Sequence, residues 1–229
     1  GIAVGMATEI PPHNLHEVAE AAICLIQNPR ADLAELLQHL PGPDYPGGGQ
    51  IISAPAEITA AYASGRGSLR VRARCEFEEM ARGAWQLVVK ELPPGVSSAK
   101  VLSEIGALMN PQPKPGKKSI DPAAAHLKAL FASQLDRARD ESGKDDAIRL
   151  VFEPVSSRQK REEFLALLLA HTSLETTAPI NLVAVGLDGR PCQKSLLDLL
   201  DEWCRFRLAT VRRRSQFRLN KARERIHIL

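Results

Sequence analysis

The most regular hydrophobic pattern of the chain lies at residues 67–77, whose sequence is GSLRVRARCEF. Apolar side chains alternate there with three arginines, Arg70, Arg72 and Arg74. A period of two predicts a β-strand with one face in the core and the other exposed. This strand would carry three guanidinium groups in a row, and residues 85–91 are predicted to pair with it as a hairpin.

Helical periods of three to four residues fill much of the remaining chain. Capping residues and prolines mark where helices begin, and glycine or proline marks where they end. Helices are predicted over residues 14–28, 31–40, 53–65, 98–109, 121–135 and 158–171, and further strands over 50–53, 148–153 and 180–187. Asp188-Gly189 predicts a two-residue hairpin after the last strand. The pattern indicates an α+β fold, with a small mixed or antiparallel sheet flanked by helices.

Two segments rich in proline and glycine interrupt the periodic pattern. PGPDYPGGG at residues 41–49 is predicted to be a turn-rich loop, and NPQPKPGKKSID at 110–121 an extended surface loop. The glycines at 47–49 lack the lysine and the following helix of a phosphate-binding loop, so they indicate flexibility only.

Residues 195–229 contain neither glycine nor proline and predict one long helix. Its apolar residues recur every three or four positions, close to the heptad of a coiled coil. At 1.5 Å per residue such a helix would be about 50 Å long. We therefore expect it to leave the globular part of the protein.

Most of the positive charge lies in this helix. Residues 205–225 hold nine lysines or arginines and one glutamate, so the segment carries +8 and the rest of the chain −5. Such a block indicates a polyanionic partner, with a solvated helix face as the alternative. Because aromatic residues make up only 4% of the chain, a platform for stacking single-stranded bases is disfavoured. Duplex DNA bound through its phosphates fits better.

Motifs for hydrolytic chemistry are missing from the sequence. No serine or cysteine lies in a nucleophile elbow, and the six histidines do not have the spacing of a zinc site. The acidic residues within 136–146 could hold magnesium, but interleaved cations favour a salt-bridged surface loop. Four widely spaced cysteines in apolar contexts favour reduced core thiols in a cytosolic protein. The chain by itself does not read as a complete enzyme.

Several long motifs resemble the A subunit of the bacterial type IIA topoisomerases, in the order found in that family. They are GIAVGMATEIPPHNLHEV, LPGPDYP, YASGRGSLRVRAR, RDESG, INLVAVGLDGRP and VRRRSQFRLNKARERIHIL. The forms GPDYP, GLDGRP and LLDEW are more similar to the topoisomerase IV branch of the family than to the gyrase branch.

The resemblance implies a division of the chain into three parts. Residues 1–14 would end a junction with a winged-helix domain, residues 15–194 would form the tower domain, and residues 195–229 would begin the coiled-coil helix. The family's catalytic tyrosine follows an arginine in a motif that precedes GIAVGMAT, so it is expected upstream of Gly1. Neither Tyr45 nor Tyr62 lies in such a motif, so no catalytic residue and no metal ligand is expected in this chain.

The candidate DNA-contacting residues come from two sources. The resemblance implies that Ile2 inserts between base pairs and bends the duplex, the alternative being a core or β-edge residue. The strand period, more than the resemblance, suggests that cations contact the duplex arms, with a solvated sheet face as the alternative. The candidate cations are Arg66, Arg70, Arg72, Arg74 and Lys100.

The function implied by the resemblance is that of a breakage-reunion subunit, which passes one duplex through a transient break in another. Expected partners are duplex DNA, the B subunit of a topoisomerase in an A2B2 heterotetramer, and a second copy of the A subunit. Mg²⁺ and ATP would be bound by the partner subunit, with no cofactor in this chain. The expected location is the cytoplasm, at the nucleoid or peripheral to the membrane. The alternatives are part of a gyrase A subunit, or a non-catalytic module that bends or scaffolds DNA.

Overall fold

The computed structural model describes residues 7–228, which form two compact units. The first unit contains residues 7–44, 54–69 and 179–228, and the second contains Tyr45–Ser53 and Arg70–Ala178. The helices are α1 (Leu15–Gln27), α2 (Leu33–His39), α3 (Pro55–Ser64), α4 (Ser98–Met109), α5 (Pro122–Gln134), α6 (Arg161–His171) and α7 (Leu196–Ile228). The strands are β1 (Gln50–Ile51), β2 (Arg66–Arg72), β3 (Arg74–Glu79), β4 (Trp85–Glu91), β5 (Leu135–Asp140), β6 (Leu150–Pro154), β7 (Glu175–Asn181), β8 (Val183–Val185) and β9 (Pro191–Gln193). The predicted α+β class is confirmed.

The first unit is largely helical, and its first helix begins at the predicted cap. The side chain of Asn14 accepts hydrogen bonds from the N–H groups of His16 and Glu17, at 2.9 and 3.3 Å. The apolar residues at the two ends of α1 are not buried, since Leu15 is 83% and Ile26 66% exposed. Instead, Ala21, Ala22 and Leu25 are buried, because small side chains let α1 pack closely on α2 and α7.

Helix α3 shows why glycine is required at position 65. Gly65 ends the helix with φ of 74°, in the left-handed region that favours glycine. A Cβ at this position would lie 2.0 Å from the carbonyl oxygen of Lys194. The glycine therefore lets the end of α3 approach the segment that follows the β8–β9 hairpin.

The second unit contains a four-stranded antiparallel sheet in the order β3-β4-β6-β5. Helices α4, α5 and α6 contribute apolar side chains to a core on one face of this sheet. Trp85 lies edge to face with both Phe77 and Phe164, at ring-centroid distances of 5.6 and 5.4 Å. Phe131, Phe152 and Phe164 are fully buried in the same core.

The structure differs from the sequence-based prediction in two places. The single strand expected over residues 67–77 is broken at Ala73, whose N–H donates to the carbonyl of Leu174 at 2.7 Å. Strand β2 consequently pairs within the sheet β1-β2-β7, whereas β3 pairs with β4 in the four-stranded sheet. Residues 135–140, expected as a helix end and a polar loop, form the edge strand β5. Its charged sequence is typical of edge strands, since charges discourage pairing with other chains.

A charged network crosses the outer face of the four-stranded sheet. Glu78 accepts two hydrogen bonds from the guanidinium of Arg149, both of 2.8 Å. Arg149 also reaches Glu141 at 3.0 Å, and Arg139 reaches Glu141 at 2.6 Å and Glu153 at 2.7 Å. The hydrogen bonds from Arg149 and then from Gln86 lower the pKa of Glu78 to about 2. Among the described residues, no helix combines the length and the apolarity needed to cross a bilayer.

This network predicts a loss of stability in acid. The folded pKa of Glu78 lies below the value of about 4.3 expected for an unfolded chain, so ionised Glu78 stabilises the fold above that pH. The contribution is lost as the pH falls from 4.3 towards 2. We expect Arg149→Met to lower the free energy of unfolding by about 1–2 kcal/mol at pH 7, since both partners are partly exposed. The variant should also show a shallower fall between pH 5 and 3.

Urea unfolding over this pH range measures both effects. Lys160→Met is the matched control, because Lys160 and Glu163 pair at 3.4 Å with side chains 79% and 70% exposed. The control should change stability by less than about 0.5 kcal/mol. The same pH dependence in Arg149→Met and the wild type would show that Glu78 does not depend on Arg149.

Candidate nucleic-acid interface

The alternation at residues 69–74 places the arginines outward but does not leave them free. Leu69, Val71 and Ala73 are buried, as predicted. Arg72 lies on β2, and its Nε and Nη2 atoms are both 2.8 Å from Oε2 of Glu175.

Arg70, two residues earlier on the same strand, is only loosely paired. Its Nη1 lies 3.8 Å from Oε1 of Glu175, and its side chain is 60% exposed, against 38% for Arg72. A single carboxylate therefore neutralises part of the charge of both side chains. Of the two, Arg70 offers the more accessible cation to a phosphate.

Arg74 belongs to a different sheet and has its own carboxylate. Its Nε lies 2.5 Å from Oε2 of Glu91, and Gly49 N–H donates to the same oxygen at 3.2 Å. These donors, Arg74 first, hold the pKa of Glu91 below its usual value. The prediction that one strand carries all three arginines is therefore wrong, because β2 ends at Arg72 and β3 begins at Arg74.

The run of three glycines has a structural use that its sequence did not indicate. Gly48 and Gly49 adopt φ of 78° and 96°. A Cβ on Gly48 would lie 2.4 Å from the carboxyl carbon of Glu91. We expected flexibility only, but this loop packs against the Glu91 side chain that pairs with Arg74.

The remaining two candidate cations lie outside these ion pairs. Arg66 begins β2 and is exposed, and Lys100 lies exposed in the first turn of α4. Within residues 7–228 neither has a carboxylate at ion-pair distance, in contrast to Arg72 and Arg74. Both are available to an external anion.

The first residues of the chain carry two expectations that the structure does not reach. Gly1, upstream of which the catalytic tyrosine is expected, lies outside the described residues. Ile2, the candidate for DNA bending, lies outside them as well. Both expectations stay predictions.

Helix α7 carries the largest set of unpaired cations. Only Leu196 and Leu200 of this helix are buried. Arg205 pairs with Asp201 one turn earlier, but the other cations of the helix have no ion pair in the described part of the chain. They are Arg207, Arg212, Arg213, Arg214, Arg218, Lys221, Arg223 and Arg225, all exposed. Sequence reasoning found this block by its charge, but our set of candidate site residues left it out.

The same helix has an apolar side that the described residues leave exposed. Leu208 and Ile226 are each more than half exposed, and Leu219, on the same side of the helix, is 44% exposed. Leu208 and Ile226 belong to the predicted heptad-like seam. The uncovered positions are those that a coiled-coil partner would cover.

Neither tyrosine presents its hydroxyl to solvent. Tyr62 is fully buried, and its hydroxyl lies 2.7 Å from Nε2 of His13. The hydroxyl oxygen of Tyr45 is buried without a hydrogen-bond partner in the described structure, and burial raises the pKa of Tyr45. A nucleophile must reach its target, and a buried protonated phenol is poorly placed to do so.

The acidic segment at residues 136–146 does not fit a metal ion. Two arginines, Arg139 and Arg149, engage the carboxylate of Glu141, and Asp140 accepts a hydrogen bond from Ser142 N–H at 2.9 Å. In residues 7–228 no group of three or more His, Cys, Asp or Glu side chains could hold a metal. We therefore assign no metal-dependent step to these residues.

The cysteines fit the reduced state that the sequence predicts, but not uniformly the core. All four are free thiols. Burial raises the pKa of Cys75 to about 11, which keeps this thiol protonated. Cys192 on β9 is exposed, so the expectation of a core position is wrong for it.

Comparison with known proteins identifies what the chain resembles. The family model for the A subunit of DNA gyrase/topoisomerase IV matches residues 1–229. The chain is 52% identical to the A subunit of DNA topoisomerase 4 from Neisseria gonorrhoeae over 229 residues, 100% of this chain and 30% of that protein. The proteins of the same name from Salmonella typhimurium and Escherichia coli are 46% and 45% identical over the whole chain, which covers 27% of each. The chain thus spans less than a third of the length of these relatives.

The pairing of Arg70 and Arg72 with one carboxylate leads to a test of their role. Glu175→Gln removes the negative charge that competes with phosphate. If these arginines contact DNA, duplex affinity should rise and the salt dependence should steepen, by about 0.9 in log affinity per log salt for each phosphate gained. Joint replacement of Arg70, Arg72 and Arg74 by glutamine should weaken binding and flatten the slope.

Glu163→Gln is the matched control, since it removes one negative charge from the same unit but releases only the exposed Lys160. Affinities and slopes can be measured by fluorescence anisotropy at salt concentrations from about 50 to about 300 mM, a range over which phosphate contacts weaken strongly. An equal gain in duplex affinity in the two glutamine variants would indicate a general charge effect. Arg70 and Arg72 would then be solvated residues of the sheet face that do not contact DNA.

Proposed function

Because the chain belongs to the A-subunit family of DNA gyrase/topoisomerase IV, we propose that it is a duplex-binding and duplex-bending part of a type II topoisomerase. The match over residues 1–229, with the relatives described above at 45–52% identity, carries this proposal. The enzyme would pass one duplex through a transient double-strand break in another, relaxing supercoils and separating linked chromosomes. Since the relatives described above are topoisomerase IV subunits, topoisomerase IV is favoured over gyrase.

Phosphate contacts would supply the affinity of this part for DNA. The unpaired cations Arg66 and Lys100, together with Arg70 and the unpaired arginines of α7, can approach phosphates without first leaving a close carboxylate. Arg72 and Arg74 must exchange their carboxylate partners for phosphate. Such contacts position a duplex but do not read its sequence, as suits an enzyme that acts at crossings of two duplexes.

The rest of the enzyme would complete the reaction. The B subunit would join two copies of the A subunit in an A2B2 heterotetramer and would bind ATP and Mg²⁺. The exposed apolar side of α7 supports its assignment as the first helix of a coiled coil. A location in the cytoplasm at the nucleoid follows from the DNA substrate.

Ile2 would act as the wedge that bends the duplex. Unstacking a base step costs a few kcal/mol, which additional phosphate contacts along the bent arms offset. In the intact subunit that carries this chain, Ile2→Ala should still bind straight duplex but bend it less, because alanine is too short to hold a step open. Nicked duplex, which bends more easily, should restore part of the effect.

Energy transfer between dyes at the two duplex ends measures the bend, with thermal melting of the protein as control. Equal bending by the wild type and Ile2→Ala, or a large fall in melting temperature, would make Ile2 a packing residue.

The burial of both tyrosine hydroxyls supports the proposal that neither attacks DNA. In the intact subunit with its partner, Mg²⁺ and ATP, Tyr45→Phe and Tyr62→Phe should still form the covalent protein–DNA adduct at near wild-type yield. Adduct recovery after denaturation of the protein in detergent measures this. Loss of the adduct in either variant, with an unchanged melting temperature, would identify that tyrosine as the nucleophile.

A further inference from the structure

We propose that Asn181 and Thr8 are positioning residues that fix the segment leading from the DNA-bending isoleucine to the folded part of the first unit. This inference rests on the proposed function of Ile2. It is carried by a set of hydrogen bonds that holds three consecutive residues, Ala7, Thr8 and Glu9, to the junction of β7 and β8.

The contacts involve both backbone and side chains. Glu9 and Asn181 form an antiparallel bridge, in which Glu9 N–H donates to Asn181 at 2.9 Å and Asn181 N–H donates to Glu9 at 2.8 Å. The Asn181 amide also donates through Nδ2 to the carbonyl of Ala7 at 2.7 Å. One residue further along the segment, the Thr8 hydroxyl donates to the carbonyl of Val183 at 2.8 Å.

Because these contacts are polar, they fix the position of the segment and contribute little to the hydrophobic core. Residues 7–10 are all exposed, so the segment buries little apolar surface. Hydrogen bonds are directional and fix where a backbone runs, whereas hydrophobic contact does not. Aspartate at position 181 would have the same shape but no donor for the carbonyl of Ala7.

The Asn181 side chain makes its hydrogen bond through Nδ2, to the carbonyl of Ala7. Its other polar atom, Oδ1, is buried and has no hydrogen-bond partner in the described structure. The bond from Nδ2 to Ala7 is therefore the side-chain contact that a substitution at position 181 would remove.

The segment is also fixed on its other side. Asp44 N–H donates to the carbonyl of Pro12 at 2.9 Å, Pro11 is buried, and His13 contacts the Tyr62 hydroxyl. Residues 7–13 are therefore held at both ends within one unit.

A wedge needs such a support. Five residue steps separate Ile2 from Ala7, and at no more than about 3.6 Å per step the wedge lies within about 18 Å of the anchor. Forcing a side chain between stacked bases pushes back on the protein with the same force. A loosely held segment would move instead of opening the base step. The hydrogen bonds that hold residues 7–9 therefore determine how much of the binding free energy is used to bend the duplex.

The test compares Asn181→Asp and Thr8→Val with the wild type, each in the intact subunit that carries this chain. Both variants remove a donor while keeping the size of the side chain. We expect each to bind intact duplex about tenfold more weakly, the loss typical of one hydrogen bond, and to lower end-to-end energy transfer. On nicked duplex, affinity should stay within about threefold of the wild type, since less force acts on the wedge. Thr8→Ser, which keeps the hydroxyl, should behave as the wild type.

Two controls separate this inference from its premise. Asn110→Asp makes the same chemical change at an exposed position of the second unit and should leave bending unchanged. Ile2→Ala tests the wedge itself, and full bending by that variant would overturn the proposed function. Reduced bending by Ile2→Ala together with wild-type bending by Asn181→Asp and Thr8→Val would overturn only the positioning role of Asn181 and Thr8. Equal losses on intact and nicked duplex, or failure of Thr8→Ser to restore bending, would also overturn it.

Discussion

The pairing of guanidinium groups with carboxylates decides which cations of this protein can meet an external anion. On the sheets of the second unit, strands bring arginines and glutamates side by side, so Arg72, Arg74, Arg139 and Arg149 all have carboxylates within 3.0 Å. Beyond Arg205, which pairs with Asp201, the cations of helix α7 have no such neighbours in the described part of the chain, because residues 205–225 contain a single glutamate. The formal charge of +3 therefore understates the field around α7 and overstates that around the sheets.

This uneven pairing bears on the stability of α7 itself. Arg214 and Arg218 lie four residues apart on one helix face, as do Lys221 and Arg225, and like charges at this spacing destabilise a helix by a few tenths of a kcal/mol each. The apolar side of the helix is exposed as well. A long helix with repulsion between its cations and with uncovered apolar groups gains from two partners, a polyanion and a second helix. Both are features of the proposed function.

Sequence patterns predicted those parts of the fold that depend on neighbouring residues. The Asn14 cap, the Asp121-Pro122 start of α5 and the Gly65 end of α3 are confirmed, because a cap is built from residues within one turn. The break at Ala73 and the strand β5 were missed. Both are decided by partners distant in sequence, Leu174 for the break and β6 for the strand, and a polar edge strand has no apolar period to reveal it.

The same distinction between neighbouring and distant residues applies to the candidate interface. Long motifs were sufficient to identify the family, and the charge of α7 could be counted. The carboxylates that neutralise the strand arginines could not be predicted, since Glu175 lies 103 residues from Arg72 and nothing in either stretch specifies the other.

The anchor formed by Asn181 illustrates the limit most clearly. Its contact with Ala7 spans 174 residues, and an asparagine at the end of a strand has the local pattern of an ordinary polar residue. In the proposed function, unpaired cations contribute binding affinity but do not bend the duplex, since phosphates are alike along any duplex. A wedge held by directional hydrogen bonds bends the duplex but adds little affinity, since unstacking the base pairs costs free energy. Bent DNA is held only where both act together, so the residues that determine the bend need not be among those that contact DNA.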